Sequence, residues 1–283
     1  MGIEIVDLVK IAREKGRREA MTRIRYLAIL SERPEEVAQF YTRFLRLEEL
    51  GRSAEGDISL TEGFYNITLL KRRSSLGEPR MEVGLHHIGL EVESLQEVEA
   101  RYRAFNPRGV VVREPGGLHF GELRIYDPEC NPVSLSEKGF GVGKEERRLP
   151  RLGHIAFNAL DPEGLLLFYA QVLGLRELKS SEVRRKQGRL NRFAGDGFTN
   201  LAIHPFYNDR EGHVARFGVN HIGFLVRDLQ GIMGELSSVV PVAARPADRP
   251  YAEFRFPDPE GNGVDLTQRK GYEVDVDKWD RVA

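Results

Sequence analysis

The sequence predicts an α+β fold built from four units of one layout, each a strand, a helix and three further strands. Three observations lead to this prediction. The 283-residue chain contains four similar β-type segments, each is followed by an amphipathic helical segment beside an acidic residue, and the two halves of the chain match unit by unit. An internal repeat on this scale indicates that the repeating unit determines the architecture.

The first strand of each unit is a short and largely apolar run. The four runs are IRYLAIL from Ile24, LHHIGLEV from Leu85, LGHIAFNAL from Leu152 and VNHIGFLV from Val219. Runs of this length, rich in Ile, Leu and Val, are typical of half-buried or fully buried strands. We therefore expect one strand at the start of each unit.

A helical segment follows each of these strands. PEEVAQFYTRFLRL after Arg33 and PEGLLLFYAQVLGL after Asp161 are close copies that share a Phe-Tyr pair, whereas SLQEVEARYRAF after Glu93 and DLQGIMGELSSV after Arg227 share Leu-Gln. Acidic residues and proline at the first turn favour a helix start. Units one and three thus form one matched pair, and units two and four form another.

Further β-type runs close each unit. FYNITLL and FTNLAIH end units one and three, and IYDPECNPVSL and FPDPEGNGVDL end units two and four. The turns at Asp127 and Asp258 are predicted hairpin connections, because Asp and Pro preset a turn. Asn66 and Asn200 occupy matched positions and are assigned to strand pairing or a turn.

The repeats divide the chain into an N-terminal helical extension over 1–21, a first domain over 22–140 and a second domain over 141–283 with a C-terminal tail. The glycine-rich, charged stretch Lys138 to Pro150 is the expected linker between the halves. Met21 follows a basic stretch and is a possible alternative start.

Composition narrows the function classes. Lys and Arg number 42 against 43 Asp and Glu, a net charge of −1. This balance argues against nucleic-acid binding through a basic face, since phosphate neutralisation needs a cationic excess. The single Cys130 cannot form an internal disulfide, and the N-terminus has no run of about twenty apolar residues. We expect a cytoplasmic protein without a membrane or nucleic-acid partner.

On these repeats the chain resembles the vicinal oxygen chelate superfamily, which includes glyoxalases, bleomycin-resistance proteins and extradiol dioxygenases. The resemblance covers roughly 22–272, and the four-unit length is most similar to the extradiol ring-cleaving enzymes. It implies two cupped mixed-sheet domains of glyoxalase/dioxygenase type, with metal ligands on the first strand of each unit and on the last strand of a unit. It also implies a small-molecule substrate and a possible homo-oligomer.

The candidate ligand positions follow from aligning the repeats. The first strands align Tyr26, His87, His154 and His221, and the last strands align Thr68, Ser134, Ala202 and Asp265. Only the second half offers two histidines and a carboxylate. With seven histidines in the chain, chance would produce this combination about once in ten thousand cases.

By this resemblance, His154, His221 and Asp265 are the predicted metal ligands. Two imidazoles and one carboxylate leave open positions and suit non-haem iron(II), with manganese(II) or zinc(II) as alternatives. The family usually has glutamate as its third ligand, so Asp265 is one methylene shorter. A relic of a former metal site would leave the same pattern. His87 lacks a partner set and is assigned to packing.

Two groups expected in an extradiol active site are replaced in this chain. Thr199 stands where the second-sphere histidine belongs, and Arg255 stands where a tyrosine is expected. Arg255 could bind a substrate carboxylate or form a salt bridge with Asp265. His204 shares the face of the ligand position and is a candidate acid–base residue, and Tyr251 is a candidate residue at the cavity mouth.

These observations support three functions. The first is a divalent-metal enzyme of the extradiol-dioxygenase type that chelates two neighbouring oxygens of a small aromatic substrate. The second is a glyoxalase-like lyase or isomerase that uses the same chelation without dioxygen. The third is a metal-free protein that binds a small molecule, as bleomycin-resistance proteins do.

Overall fold

The computed structural model describes residues 22–73, 82–143, 149–206, 217–246 and 252–268. These residues form two eight-stranded mixed sheets with helices, so the predicted α+β class with paired βαβββ units is confirmed. The predicted N-terminal helix over 1–21, the candidate start Met21 and positions 144–148 of the expected linker lie outside the described residues. Within the described part, no helix is both long and apolar enough to cross a membrane.

The first domain contains units one and two. Its elements are β1 (Arg23–Ser31), α1 (Pro34–Leu45), β2 (Glu48–Arg52), β3 (Ile58–Thr61), β4 (Asn66–Lys71), β5 (Gly84–Glu91), α2 (Leu95–Phe105), β6 (Val112–Arg113), β7 (Leu123–Tyr126) and β8 (Pro132–Ser136). Each unit has the predicted order of one strand, one helix and three strands.

The second domain repeats this order with one addition. Its elements are β9 (Arg151–Ala159), α3 (Pro162–Gln171), β10 (Arg176–Glu177), α4 (Lys179–Lys186), β11 (Arg192–Gly195), β12 (Asn200–Pro205), β13 (Gly218–Leu225), α5 (Leu229–Leu236), β14 (Ala243–Ala244), β15 (Phe254–Pro257) and β16 (Gly263–Thr267). Helix α4 was not predicted. It occupies the place of the short turn that joins β2 to β3 in unit one.

Both sheets have the same strand order. The orders are β2-β3-β4-β1-β5-β8-β7-β6 and β10-β11-β12-β9-β13-β16-β15-β14. The first strands of the two units pair antiparallel at the centre of each sheet, and each first strand pairs parallel with the last strand of its own unit. This pairing places the aligned first-strand and last-strand positions on neighbouring strands.

Local sequence signals explain the helix starts. Asp161 and Asp228 accept hydrogen bonds from the amides of Gly164 and Gly231, so each aspartate caps a helix. Pro34 and Pro162 lie in the first turn of α1 and α3, where the missing proline N–H costs no hydrogen bond.

The two faces of each sheet differ in composition. One face packs with the helices into a continuous apolar core that includes residues of both domains. The opposite face, called here the inner face, carries the aligned positions and two smaller apolar clusters. These clusters comprise Tyr26, Ala28 and Phe140 in the first domain and Ala156, Leu178, Phe193 and Ala202 in the second. The large core stabilises the fold, and the inner faces carry the polar side chains.

The tyrosines of the Phe-Tyr pairs of α1 and α3 contact the Asp-Pro-Glu turns of the opposite domain. Tyr41 Oη donates to Asp258 Oδ2 at 3.1 Å, and Tyr169 Oη donates to Asp127 Oδ2 at 3.3 Å. Burial raises the pKa of Asp127 to about 6 and shifts the pKa of Asp258 in the same direction. The repeated sequence motifs thus meet across the domain boundary in two equivalent contacts.

The same turns form tight hairpins between the last two strands of units two and four. Asp127 N donates to Asn131 O at 3.0 Å, and Asp258 N donates to Asn262 O at 2.9 Å. Cys130 and Gly261 lie at equivalent positions with φ of 64° and 84°. Both turns are the hairpin connections that the sequence predicts.

A second pair of acidic residues lies at matched turns near the domain boundary. Asp196 Oδ2 accepts from the amide of Ile24 at 2.7 Å, and Glu62 Oε2 accepts from the amide of Tyr65 at 3.0 Å. Burial raises the pKa of Glu62 to about 7. Asp196 of the second domain therefore holds the start of β1 in the first domain.

Candidate functional site

Three strands of the second domain bring His154, His221 and Asp265 together on the inner face. In the strand register, β13 places Gly223 between His154 of β9 and Asp265 of β16. Because side chains alternate along a strand, His221 lies on the same face as these two residues. All three side chains are buried, with exposed fractions of 5%, 6% and 3%.

The distances within this group are short. The ring centroids of His154 and His221 are 5.3 Å apart at an angle of 46°, and Nε2 of His221 lies 3.7 Å from Oδ2 of Asp265. Asn220 Oδ1 lies 2.8 Å from Nδ1 of His221 and holds that ring from the side away from Asp265. The structure therefore assembles two imidazoles and one carboxylate, as the repeat alignment predicts.

Arg255 holds the carboxylate of this group. It lies on β15 directly opposite Asp265, its Nη2 donates to Oδ2 at 2.7 Å, and its Nε donates to Oδ1. The pair is buried, with Arg255 exposed by only 6%. Of the two roles considered for Arg255, the geometry displays the salt bridge with Asp265. Its counterpart Arg124 likewise pairs with Glu114, at 2.6 Å.

The donor set fits a divalent metal ion in chemistry, because two imidazoles and a carboxylate are the ligands of open iron(II) sites. The three side chains do not form a closed coordination shell in this structure. Among the residues that the structure describes, no group of three or more His, Cys, Asp or Glu side chains is close enough to hold a metal ion. Asp265 can serve as a ligand through one oxygen while the other still accepts from Arg255.

His204 lies beside the histidine pair. Its ring is 6.2 Å from that of His221 and nearly parallel to it, at 19°. Nδ1 of His204 lies 2.5 Å from Nδ2 of Asn191, and Phe193 contacts the ring edge. The structure therefore places this acid–base candidate next to His221, and its role stays a prediction.

Of the two other positions considered in the sequence, the structure describes Thr199 but not Tyr251. Thr199 is fully buried, its amide donates to Asp196 Oδ1 at 2.7 Å, and its hydroxyl makes no hydrogen bond. A hydroxyl group of ordinary pKa does not exchange protons near neutrality as an imidazole does. Tyr251 lies outside the described residues, so its predicted place at the cavity mouth stays a prediction.

The wall beside the histidines is apolar, a feature that the sequence did not reveal. Ala156, Phe193 and Ala202 pack with Leu178, which precedes the added helix α4. From the same helix, the guanidinium of Arg184 lies 5.4 Å from the centroid of the Phe193 ring. The only sequence signal for this wall was the longer segment between β10 and β11, rich in Arg and Lys.

The inner face of the first domain is filled by its own chain. Phe140 stacks on Tyr26 with ring centroids 4.7 Å apart, and Tyr26 Oη donates to the carbonyl of His119 at 2.7 Å. Nδ2 of Asn66 donates to the carbonyls of Leu118 and Phe140, both at 2.7 Å. These contacts occupy the positions that correspond to the histidine site of the second domain.

The histidines of the first domain are part of this packing. Nε2 of His87 lies 3.1 Å from the hydroxyl of Ser134, and Nδ1 lies 2.6 Å from Nδ1 of His86. Burial lowers the pKa of His86 to about 4 and also lowers that of His87. Both rings are therefore neutral near pH 7, and Ser134 takes the position that Asp265 has in the second domain.

Comparison with solved structures identifies the same architecture. A Mn(II)-bound glyoxalase from Novosphingobium aromaticivorans aligns with a TM-score of 0.64 and 18% identity, covering 91% of this chain and 85% of that chain. The 2,3-dioxygenase LapB from Pseudomonas sp. KL28 aligns with a TM-score of 0.60 and 16% identity, covering 87% and 90%. An extradiol ring-cleaving dioxygenase from B. fuscum gives 0.62 and 18%, covering 92% and 75%.

At these identities the likeness shows the fold alone. No curated protein sequence matches the chain significantly. A family model does match, over residues 23–135 and 151–266, which together make up most of the chain and correspond to the two domains. The chain belongs to the Glyoxalase/Bleomycin resistance protein/Dioxygenase superfamily.

Proposed function

We propose that this protein is a divalent-metal-dependent enzyme of the extradiol-dioxygenase type, acting on two neighbouring oxygens of a small aromatic substrate. One observation carries the proposal. His154, His221 and Asp265 lie together on a buried inner face, whereas the matching positions of the first domain are packed with Tyr26 and Phe140. Two imidazoles and a carboxylate favour iron(II), with manganese(II) or zinc(II) as alternatives.

In this proposal, His154, His221 and Asp265 hold the metal, which would polarise the substrate oxygens as a Lewis acid. His204 would accept or return a substrate proton, because its ring lies beside that of His221 and imidazole is the commonest general acid–base group in enzymes. Arg255 would orient the Asp265 carboxylate. The apolar wall of Ala156, Phe193 and Ala202 would contact the face or edge of an aromatic ring and exclude water.

The first test is metal content. We expect protein purified anaerobically with iron(II) to hold about one metal ion per chain, and His154→Ala to lose it. His87→Ala is the control, since His87 is the first-domain counterpart of His221 and contacts Ser134 rather than a carboxylate. Negligible metal in the unmodified protein, equal to that in His154→Ala, would contradict the metal-enzyme proposal.

The second test separates the two metal-dependent functions. We expect the iron-loaded protein to consume dioxygen with at least one member of a catechol panel. Metal binding without any oxygen uptake would instead favour the glyoxalase-like lyase or isomerase. The structural likeness to a Mn(II)-bound glyoxalase is compatible with this alternative.

The Arg255–Asp265 pair favours a second candidate, a metal-free protein that binds a small molecule. A carboxylate that already accepts two charge-assisted hydrogen bonds from a buried guanidinium has its charge compensated without a metal. In that case the inner face would bind a neutral aromatic ligand. Tight binding of a catechol by protein without metal, with no turnover, would support it.

A further inference from the structure

The side chain of Asn200 is buried on the inner face without hydrogen-bond partners. Asn200 opens β12 and lies directly beside His154 in the parallel pair of β12 with β9. It is fully buried, and neither Nδ2 nor Oδ1 makes a hydrogen bond. Native proteins seldom leave a buried polar group unsatisfied, because doing so costs its full desolvation. The missing hydrogen bonds of this carboxamide therefore indicate that a further group binds there.

The first domain shows what the same position requires. Asn66 lies beside Tyr26 in the same register. Its Nδ2 donates to two backbone carbonyls, and its Oδ1 accepts from the hydroxyl of Thr68 at 2.7 Å. In the second domain Ala202 replaces Thr68, so the donor to Oδ1 is absent. An asparagine fully satisfied by packing in one half is unsatisfied in the other.

A hydroxyl group has the chemistry that would satisfy Asn200. It accepts one hydrogen bond from Nδ2 and donates another to Oδ1. The neighbouring His154 is a ligand in the proposed metal site, and the apolar side chains of Ala156 and Ala202, buried in this structure, line the face next to it. A phenolic substrate would place its oxygens against the polar residues and its ring against this surface.

We propose that Asn200 is a substrate-positioning residue that binds a hydroxyl group of the phenolic ligand held at the His154–His221 site. The inference rests on the proposed function, since it concerns the substrate of that same site. It replaces the assignment of Asn200 to strand pairing or a turn, because strand pairing uses backbone groups and leaves the side-chain amide unsatisfied. Asn66, by contrast, has a packing role.

The test uses 4-nitrocatechol as the probe, whose visible absorbance reports binding. Binding is measured anaerobically with the full-length chain, both metal-free and Mn(II)-loaded, for the unmodified protein, Asn200→Leu and the matched control Asn66→Leu. We expect Asn200→Leu to weaken probe binding about tenfold or more. Asn66→Leu should leave the affinity within about twofold while lowering stability towards urea.

Three results would overturn the inference. The first is that the unmodified protein does not bind the probe, with or without Mn(II). The second is that Asn200→Leu binds the probe with unchanged affinity. The third is that Asn200→Leu and Asn66→Leu lose the same amount of probe affinity. A structural role for Asn200 would lower stability towards urea without changing probe affinity. Mn(II) binding is measured in parallel for the unmodified protein and for His154→Ala, and it tests the proposed function separately. The metal-free series decides the role of Asn200 even if no metal binds.

Discussion

Replacing Arg255 by methionine removes one side of a buried ion pair beside the candidate metal ligands. Arg255 and Asp265 are exposed by 6% and 3%, and the guanidinium gives the carboxylate two hydrogen bonds. Methionine keeps much of the apolar volume of the arginine stem and removes the charge. The substitution therefore leaves Asp265 buried with an uncompensated charge.

The expected magnitude follows from this burial. Removing one partner of a buried ion pair costs about 3–5 kcal/mol of stability, so we expect a loss in this range for the metal-free protein. In the unmodified protein, a metal ion that binds Asp265 must replace one charge-assisted hydrogen bond from Arg255, worth about 1.5–3 kcal/mol. In the variant this hydrogen bond is already absent, so metal binding does not lose it. The loss of second-sphere orientation works in the opposite direction by about tenfold in affinity. The net expectation is a rise in Mn(II) affinity of about fivefold.

Urea unfolding of the metal-free protein and isothermal titration with Mn(II) measure the two effects. Arg124→Met is the matched control, because Arg124 has the same place in the first domain and pairs there with Glu114. Arg124 is partly exposed, so its replacement should cost less than that of Arg255 and should leave Mn(II) affinity unchanged. Added Mn(II) should restore much of the stability that Arg255→Met loses.

Two results would refute this reasoning. A loss below about 1 kcal/mol in Arg255→Met would show that the ion pair contributes little despite its burial. Mn(II) affinity that is unchanged or lower would show that Arg255 does not compete with a metal for Asp265.

Two further predictions concern the domain boundary. The pKa of Glu62 is raised by burial to about 7. Its contribution to the free energy of unfolding is therefore present below the pKa that the group has in the unfolded chain, about 4.5, and is lost as the pH rises towards 7. Glu62→Gln should therefore match the unmodified protein near pH 5 and exceed it at pH 8 by on the order of 1–3 kcal/mol; equal pH profiles from urea unfolding would contradict this. Tyr41→Phe and Tyr169→Phe each remove one hydrogen bond to Asp258 or Asp127, which should cost about 1–2 kcal/mol each. The two losses should add in the double variant, since the turns are separate, and a double variant no less stable than either single one would argue against independent contacts.

The repeat in the sequence predicted most of the architecture. Four matching runs and four helical segments correspond to the four observed βαβββ units, because periodic apolar patterning directly reflects which face of each element is buried. The added helix α4 escaped prediction. Its sequence, KSSEVRRK, has little apolar periodicity and only Ser181 is buried, so the helical pattern was weak.

Candidate site residues could be singled out from the sequence only where the repeat itself marked them. His154, His221 and Asp265 stand out because their equivalents in the first half differ, and strand register then explains why they meet. The salt bridge of Arg255 was one of two possible roles, and the paired strands β15 and β16 place it opposite Asp265. Sequence could not choose between these roles, because the choice depends on side-chain direction and burial.

Sequence by itself determined the unit, its duplication and the asymmetry between the two halves at the aligned positions. Only the tertiary structure decided what those positions contact. Asn66 and Asn200 are the same residue at the same place in the repeat, yet one has three hydrogen bonds and the other none. The reason is physical: hydrogen-bond satisfaction depends on chain segments distant in sequence, such as Leu118 and Phe140, and local pattern does not encode their positions.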